Sequence, residues 1–135
     1  MVFSYLLKHL EQKNVTLLCT SGQLRSAAVK LIPFLLNSGA EIYYSGDIDP
    51  DGIRIADRLW RKYGDRIHVW RMSRRDYERS LSEEVIGNIS MKKLETVENP
   101  ILRETAGEVR KKKRAGYQEN ILKELLEDIN RIKSE

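Results

Sequence analysis

Apolar positions in the first half of the chain change spacing several times, and each change predicts an element. Phe3, Leu6, Leu7 and Leu10 recur three and four positions apart, which predicts an amphipathic helix closed by Lys13-Asn14. Val15-Thr16-Leu17-Leu18-Cys19 is a short β-type run, followed by a turn at Thr20-Ser21-Gly22-Gln23. Leu24 to Asn37, with Ala27, Ala28, Leu31, Ile32, Leu35 and Leu36, predicts a second helix, kinked by Pro33 and ended at Gly39. Glu41 to Ser45 predicts a strand, Pro50 to Tyr63 a helix ending near Gly64, and Ile67-His68-Val69-Trp70 another strand. The resulting order, α-β-α-β-α-β, implies an α/β fold whose short, mostly parallel sheet is flanked by helices. In such sheets right-handed crossovers link the strands, and ligands gather beyond the strands' carboxyl ends.

After Trp70 the pattern loosens. Ser73 to Leu81 predicts a short helix, while Ser82 to Pro100 has weak periodicity and predicts a flap or a loop holding a short helix near Ser90 to Glu95. Ile101 to Arg114 and Tyr117 to Ile132 predict two closing helices, the second amphipathic through Ile121, Leu122, Leu125, Leu126 and Ile129. The expected organisation is thus an α/β core over residues 1–81 and a loop and helical extension over 82–135, packed on the same domain.

Composition narrows this picture without redirecting it. The 135 residues suit one core, and 41% hydrophobic with 33% charged residues is the balance of a soluble globular chain. A formal charge of +4 permits a polyanionic partner without demanding one. Cys19 stands alone, which excludes a disulfide framework and suggests a reducing compartment. No apolar run approaches about eighteen residues, and Met1-Val2-Phe3-Ser4 lacks the basic start of a secretory signal, so a cytoplasmic location away from membranes is expected.

Chemistry concentrates where Ile42-Tyr43-Tyr44 runs into Ser45-Gly46-Asp47-Ile48-Asp49-Pro50-Asp51-Gly52. Pro50 suits the first position of a helix, so Asp49 fits as its N-cap and Asp51 as a first-turn acid favoured by the helix dipole. Capping does not account for Asp47. Residues two apart in an extended segment point to one face, so the Asp47 and Asp49 carboxylates can converge on a divalent cation. Calcium is disfavoured, because Pro50 interrupts the EF-hand pattern and Arg58 stands where a bidentate glutamate belongs. A phosphotransferase resembling haloacid dehalogenases is an alternative, although Pro50-Asp51-Gly52 replaces that family's early hydroxyl-bearing residue.

Asp47-Ile48-Asp49-Pro50-Asp51-Gly52, with its strand before and helix after, resembles the Toprim domain of topoisomerases and primases. It is most similar to the Asp-x-Asp-Pro-x-Gly form in archaeal type IIB topoisomerase A subunits and their meiotic recombination relatives. The span from Val15 to Trp70-Arg71-Met72, and more weakly Gly116-Tyr117-Gln118-Glu119, also resembles an uncharacterised bacterial family whose C-terminal half is Toprim-like. The resemblance implies a three-layer Toprim-like core that binds Mg²⁺, or Mn²⁺, through Asp47 and Asp49, with Asp51 as an outer ligand. It further implies phosphodiester cleavage or strand transfer on DNA. A glutamate at the end of an earlier strand completes the family's site. Here Met1-Val2-Phe3 is expected to open a helix, so that strand would come from a larger parent chain or a partner subunit. A degenerate binding or assembly module, whose carboxylates serve only as caps, is the competing reading.

Several cations could hold a nucleic-acid backbone against that turn. Arg25 follows the Thr20-Ser21-Gly22-Gln23 turn, whose helix N-terminus could bind phosphate, although a simple Ser21 cap explains it as well. Arg54 lies on the helix after the acidic turn, Arg74 and Arg75 follow the third predicted strand, and Lys111, Lys112 and Lys113 form the centre of the run Arg110 to Arg114. Solvated, charge-balanced faces are the alternative for each. His9 and His68 lack partners at zinc spacing, Cys19 reads as a core residue, and Tyr43, Tyr44 and Tyr77 read as packing residues.

Overall fold

The computed structural model describes residues 5–10, 15–20 and 30–134, with side chains described over 30–131. It shows a mixed α/β fold on a four-stranded sheet in the order β1-β2-β3-β4. Strand β1 (Tyr5–Leu10) pairs antiparallel with β2 (Val15–Thr20), Tyr5 opposite Thr20 and Leu10 opposite Val15. The first predicted helix is therefore a strand. A leucine spacing of three and four fits a helix, but pairing with β2 along the whole segment satisfies its backbone in the extended form, and tertiary pairing overrides the local pattern.

The rest of the sheet is parallel, as expected. Strand β3 (Glu41–Gly46) lies beside β2 with Val15 opposite Glu41, and β4 (Ile67–Val69) lies beside β3 with Ile42 opposite Ile67. Trp70 N–H donates to the Tyr44 carbonyl at 2.8 Å and prolongs that ladder. Helix α1 (Ile32–Asn37) precedes β3 and ends near Gly39, whose φ of 85° suits a residue without a Cβ. Pro33 falls in the first turn of α1, where its missing N–H costs nothing, and not at a kink. The Ser21-Gly22-Gln23 part of the turn and Arg25 lie outside the described residues.

Helix α2 (Pro50–Tyr63) has the predicted limits because both ends carry strong local signals: Asp49 caps it, Pro50 opens it, and Gly64 at φ 71° stops it. It buries Ile53, Ala56 and Leu59. Helix α3 (Arg74–Ser80) starts with a capping box in which the Ser73 hydroxyl takes the Asp76 N–H and the Asp76 carboxylate takes the Ser73 N–H. Ile32, Ile42, Tyr44, Ile53, Tyr77 and Leu102 are completely buried in the shared core. Tyr43 stacks on His68 with ring centroids 4.4 Å apart, so Tyr43, Tyr44 and Tyr77 do pack as expected.

Residues 82–100 form no open flap. Strand β5 (Leu81–Val85) pairs antiparallel with β6 (Arg114–Gly116), and helix α4 (Asn88–Met91) runs into a 3-10 turn at Lys92–Leu94. Asp57, 1% exposed on α2, fastens the return of this segment: its Oδ1 accepts the Glu98 and Asn99 N–H groups at 3.1 and 2.8 Å, and Arg61 Nε stands 3.1 Å from Oδ2. Helix α5 (Pro100–Lys112) is capped by Asn99 and stopped by Lys113 in the left-handed region, two residues short of the predicted Arg114. A 3-10 turn (Gln118–Ile121) then leads into α6 (Leu122–Ser134). Among the described residues no helix is long and apolar enough to cross a membrane.

Candidate metal site at the acidic turn

The chain leaves β3 at Gly46 and does not turn at once. Ile48 continues as an extended residue, bridged antiparallel to Gly116 of β6, with Ile48 N–H donating to the Gly116 carbonyl at 2.7 Å and Gly116 N–H returning to Ile48 at 2.8 Å. Asp47 and Asp49 flank this bridge, one on each side along the chain. Two glycines permit the close approaches involved. A Cβ on Gly52 would overlap the Asp47 carbonyl oxygen, and one on Gly116 would overlap the Ser80 hydroxyl. Beneath the turn, Gly46 N–H points at Met72 Sδ, 3.4 Å away, so the group that approaches Gly46 is a thioether from beyond β4.

Each carboxylate of the turn holds a defined partner. Asp49 Oδ1 accepts the Gly52 N–H at 2.6 Å, the expected N-cap bond. Asp51 is exposed and its Oδ1 meets Lys93 Nζ at 2.7 Å. Asp47 is 7% exposed and its Oδ1 accepts the backbone N–H of Gln118 at 2.9 Å. The expectation that Asp47 lacks a structural partner is thus corrected: it anchors the entrance to the C-terminal helix. Gln118 reaches back in turn, its Nε2 donating to Ser45 Oγ at 2.6 Å between residues that are 1% and 0% exposed.

An open cavity of about 190 Å³ lies beside the turn, lined by Asp49, Asp51, Glu84, Ile86, Ser90 and Tyr117 among others, with no lysine or arginine in its wall. Glu84 on β5 therefore shares a cavity with two carboxylates of the turn. Among the described residues, no three His, Cys, Asp or Glu side chains gather closely enough to form a metal-holding group. The donor chemistry nevertheless suits Mg²⁺, which binds through one or two carboxylates and keeps several waters. Asp49 lines the cavity, whereas Asp47, two residues earlier, is not among its lining residues.

The predicted cations divide by position. Lys111 pairs with Glu108 at 3.5 Å, Lys112 and Lys113 are exposed, and the run they belong to ends at Arg114 in β6. The positive run thus closes α5 and enters, at Arg114, the strand that bridges the acidic turn. Arg74, 3.9 Å from Glu78, and Arg75 are exposed at the start of α3, and Arg54 is half-buried on α2.

A second charged assembly fixes α6. Asp128 accepts Arg71 Nε at 2.7 Å and Nη2 at 2.9 Å, and also Trp70 Nε1 at 2.8 Å, while Arg71 Nη1 reaches Asp76 at 3.3 Å. Burial alone would push the Asp128 carboxyl up, but the bonds from Arg71 and Trp70 outweigh it and hold the group below the usual range. Hydrogen bonding to Asp128 chiefly drives the Arg71 guanidinium the other way, further towards its charged form. Arg71 adopts a left-handed φ of 55° to make these contacts.

Sequence reasoning missed Gln118, Ser45 and Glu84 as members of the turn's surroundings. Gln118 carried the only available signal, the weak motif Gly116-Tyr117-Gln118-Glu119. Compared with known proteins, residues 1–129 match the family described as "Protein of unknown function C-terminus (DUF2399)". No curated protein and no solved structure matches the chain.

Proposed function

We propose, from the premise that the chain belongs to the DUF2399 C-terminal family, that it is the Mg²⁺-binding, Toprim-like domain of a DNA-processing enzyme. The observation that carries this reading is the Ile48–Gly116 bridge, which joins the Asp47/Asp49 turn to the strand entered by the Arg110 to Arg114 run. Carboxylates for a divalent cation and cations for a phosphate backbone are then joined through one bridge. Asp49, with Asp47, would hold the metal, and Asp51 and Glu84 would add negative potential to the cavity. Bound there, Mg²⁺ would supply Lewis-acid stabilisation of a phosphodiester oxygen. Lys112, Lys113 and Arg114 would hold the backbone by charge, without reading base sequence. The Toprim resemblance also implies a glutamate from an earlier strand.

A second reading has its own observation. All three aspartates of the turn are engaged by protein donors, from Gln118, Gly52 and Lys93, as a degenerate binding or assembly module would require. Calorimetric titration with Mg²⁺ and Mn²⁺ separates the two readings. The native chain should bind metal and the Asp47→Ala/Asp49→Ala chain should not, whereas identical curves would favour the module. Replacing Lys111, Lys112 and Lys113 by alanine should weaken duplex binding irrespective of sequence. It should also flatten the logarithmic salt dependence by about 0.9 for each phosphate that is no longer neutralised.

A further inference from the structure

Resting on the metal-binding reading above, we propose that Gln118 is a positioning residue for Asp47, so that the C-terminal segment holds the aspartate in its binding geometry. Gln118 does this with two groups. Its main-chain N–H, 2.9 Å from Asp47 Oδ1, fixes the carboxylate, and its side-chain amide, 2.6 Å from Ser45 Oγ, fixes that N–H relative to β3. Ser45 and Asp47 are alternate residues of one extended segment and so present the same face, and Gln118 spans both. The arrangement is almost sealed from water, with Ser45, Asp47 and Gln118 at 0%, 7% and 1% exposure. In that setting solvent cannot replace a broken hydrogen bond, and the geometry is held tightly.

The arrangement also has a mechanical support at each end. Gly116, two residues before Gln118, is locked to Ile48, and α6, which follows, is locked by Asp128 to Trp70 and Arg71. Residues that hold a ligating carboxylate by hydrogen bonds set its orientation, and removing them typically weakens metal affinity about 10- to 100-fold. Gln118 has that relation to Asp47, and the Ser45 hydroxyl is the anchor through which it acts.

The test uses the full chain and Mn²⁺ as the probe, with bound metal read from loss of the free-ion electron paramagnetic signal and stability read from metal-free thermal melting. Gln118→Met keeps the volume and the main-chain N–H but removes the anchor. It should weaken Mn²⁺ binding by about tenfold or more and lower the melting temperature by removing the hydrogen bond that Ser45 Oγ accepts. Ser45→Ala/Gln118→Met removes both halves of that bond, so it should regain most of the melting temperature without regaining the affinity. An unchanged affinity in Gln118→Met, or an affinity that recovers together with stability in the double variant, would overturn the positioning role while leaving the metal site intact. Native chain that binds no more Mn²⁺ than Asp47→Ala/Asp49→Ala would instead remove the metal reading itself. If Gln118→Met does not fold, the double variant alone decides: native-like affinity in a folded double variant rejects the proposal.

Discussion

Asp47 and Asp49 at the acidic turn accept backbone amides, from Gln118 and Gly52, whereas Asp128 and Asp76 beside β4 accept the guanidinium of Arg71. The two regions use one residue type for opposite electrical ends. An amide orients a carboxylate without itself cancelling the charge. A guanidinium held in two parallel bonds cancels it, and the Arg71–Asp128 pair becomes a closed structural fastener. A buried aspartate therefore points to cation chemistry only when the groups facing it are known, and here those groups come from distant parts of the chain.

The comparison breaks most visibly at the fastener. Asp128→Ala should cost about 2 kcal/mol, because it leaves the Trp70 N–H and two Arg71 N–H groups without their acceptor while Asp76 still holds Arg71. The shift would be read as a lower urea midpoint at unchanged slope. A cost near zero would mean that the pair is effectively solvated. The same pair gives a pH signature. Since the Asp128 carboxyl lies below its ordinary value of 3.8 in the folded state, its contribution is complete above that value and is lost as pH falls through the lower folded value. Asp128→Asn should flatten this acid limb.

At the turn itself, Gly52→Ala should cost about 2 kcal/mol through overpacking against the Asp47 carbonyl, and it should disturb metal binding as well as folding. Asp49→Ala should cost about 1 kcal/mol, the usual value of an N-cap, while removing the proposed metal ligand. A metal affinity that survives Asp49→Ala would show that Asp49 is a helix cap and not a ligand. Both effects would be measured by denaturation and Mn²⁺ titration on the same samples.

What could be foreseen from sequence depended on how far apart the interacting residues lie. The limits of α2 were legible because Asp49, Pro50 and Gly64 act within a turn of the helix they bound. The first element was misread because the spacing of Leu6, Leu7 and Leu10 fits a helix, while the pairing with β2 that makes it a strand is not written in that spacing. β5 and β6 left little trace, since Leu81–Val85 contains Glu83 and Glu84 and β6 has three residues. Asp57, Asp128 and Gln118 were illegible for a stronger reason. Each meets partners at least 41 residues away, and nothing local marks such a side chain as a clasp.

The Asp47–Gln118 hydrogen bond closes a separation of 71 residues, and that distance has a temporal meaning. During synthesis the acidic turn emerges well before Gln118, with β4, β5 and α5 made in between. Closing so large a loop carries an entropic cost that only the later elements can offset. A nascent chain would thus hold Asp49 by its own helix early, and clasp Asp47 only when its C-terminal segment arrives.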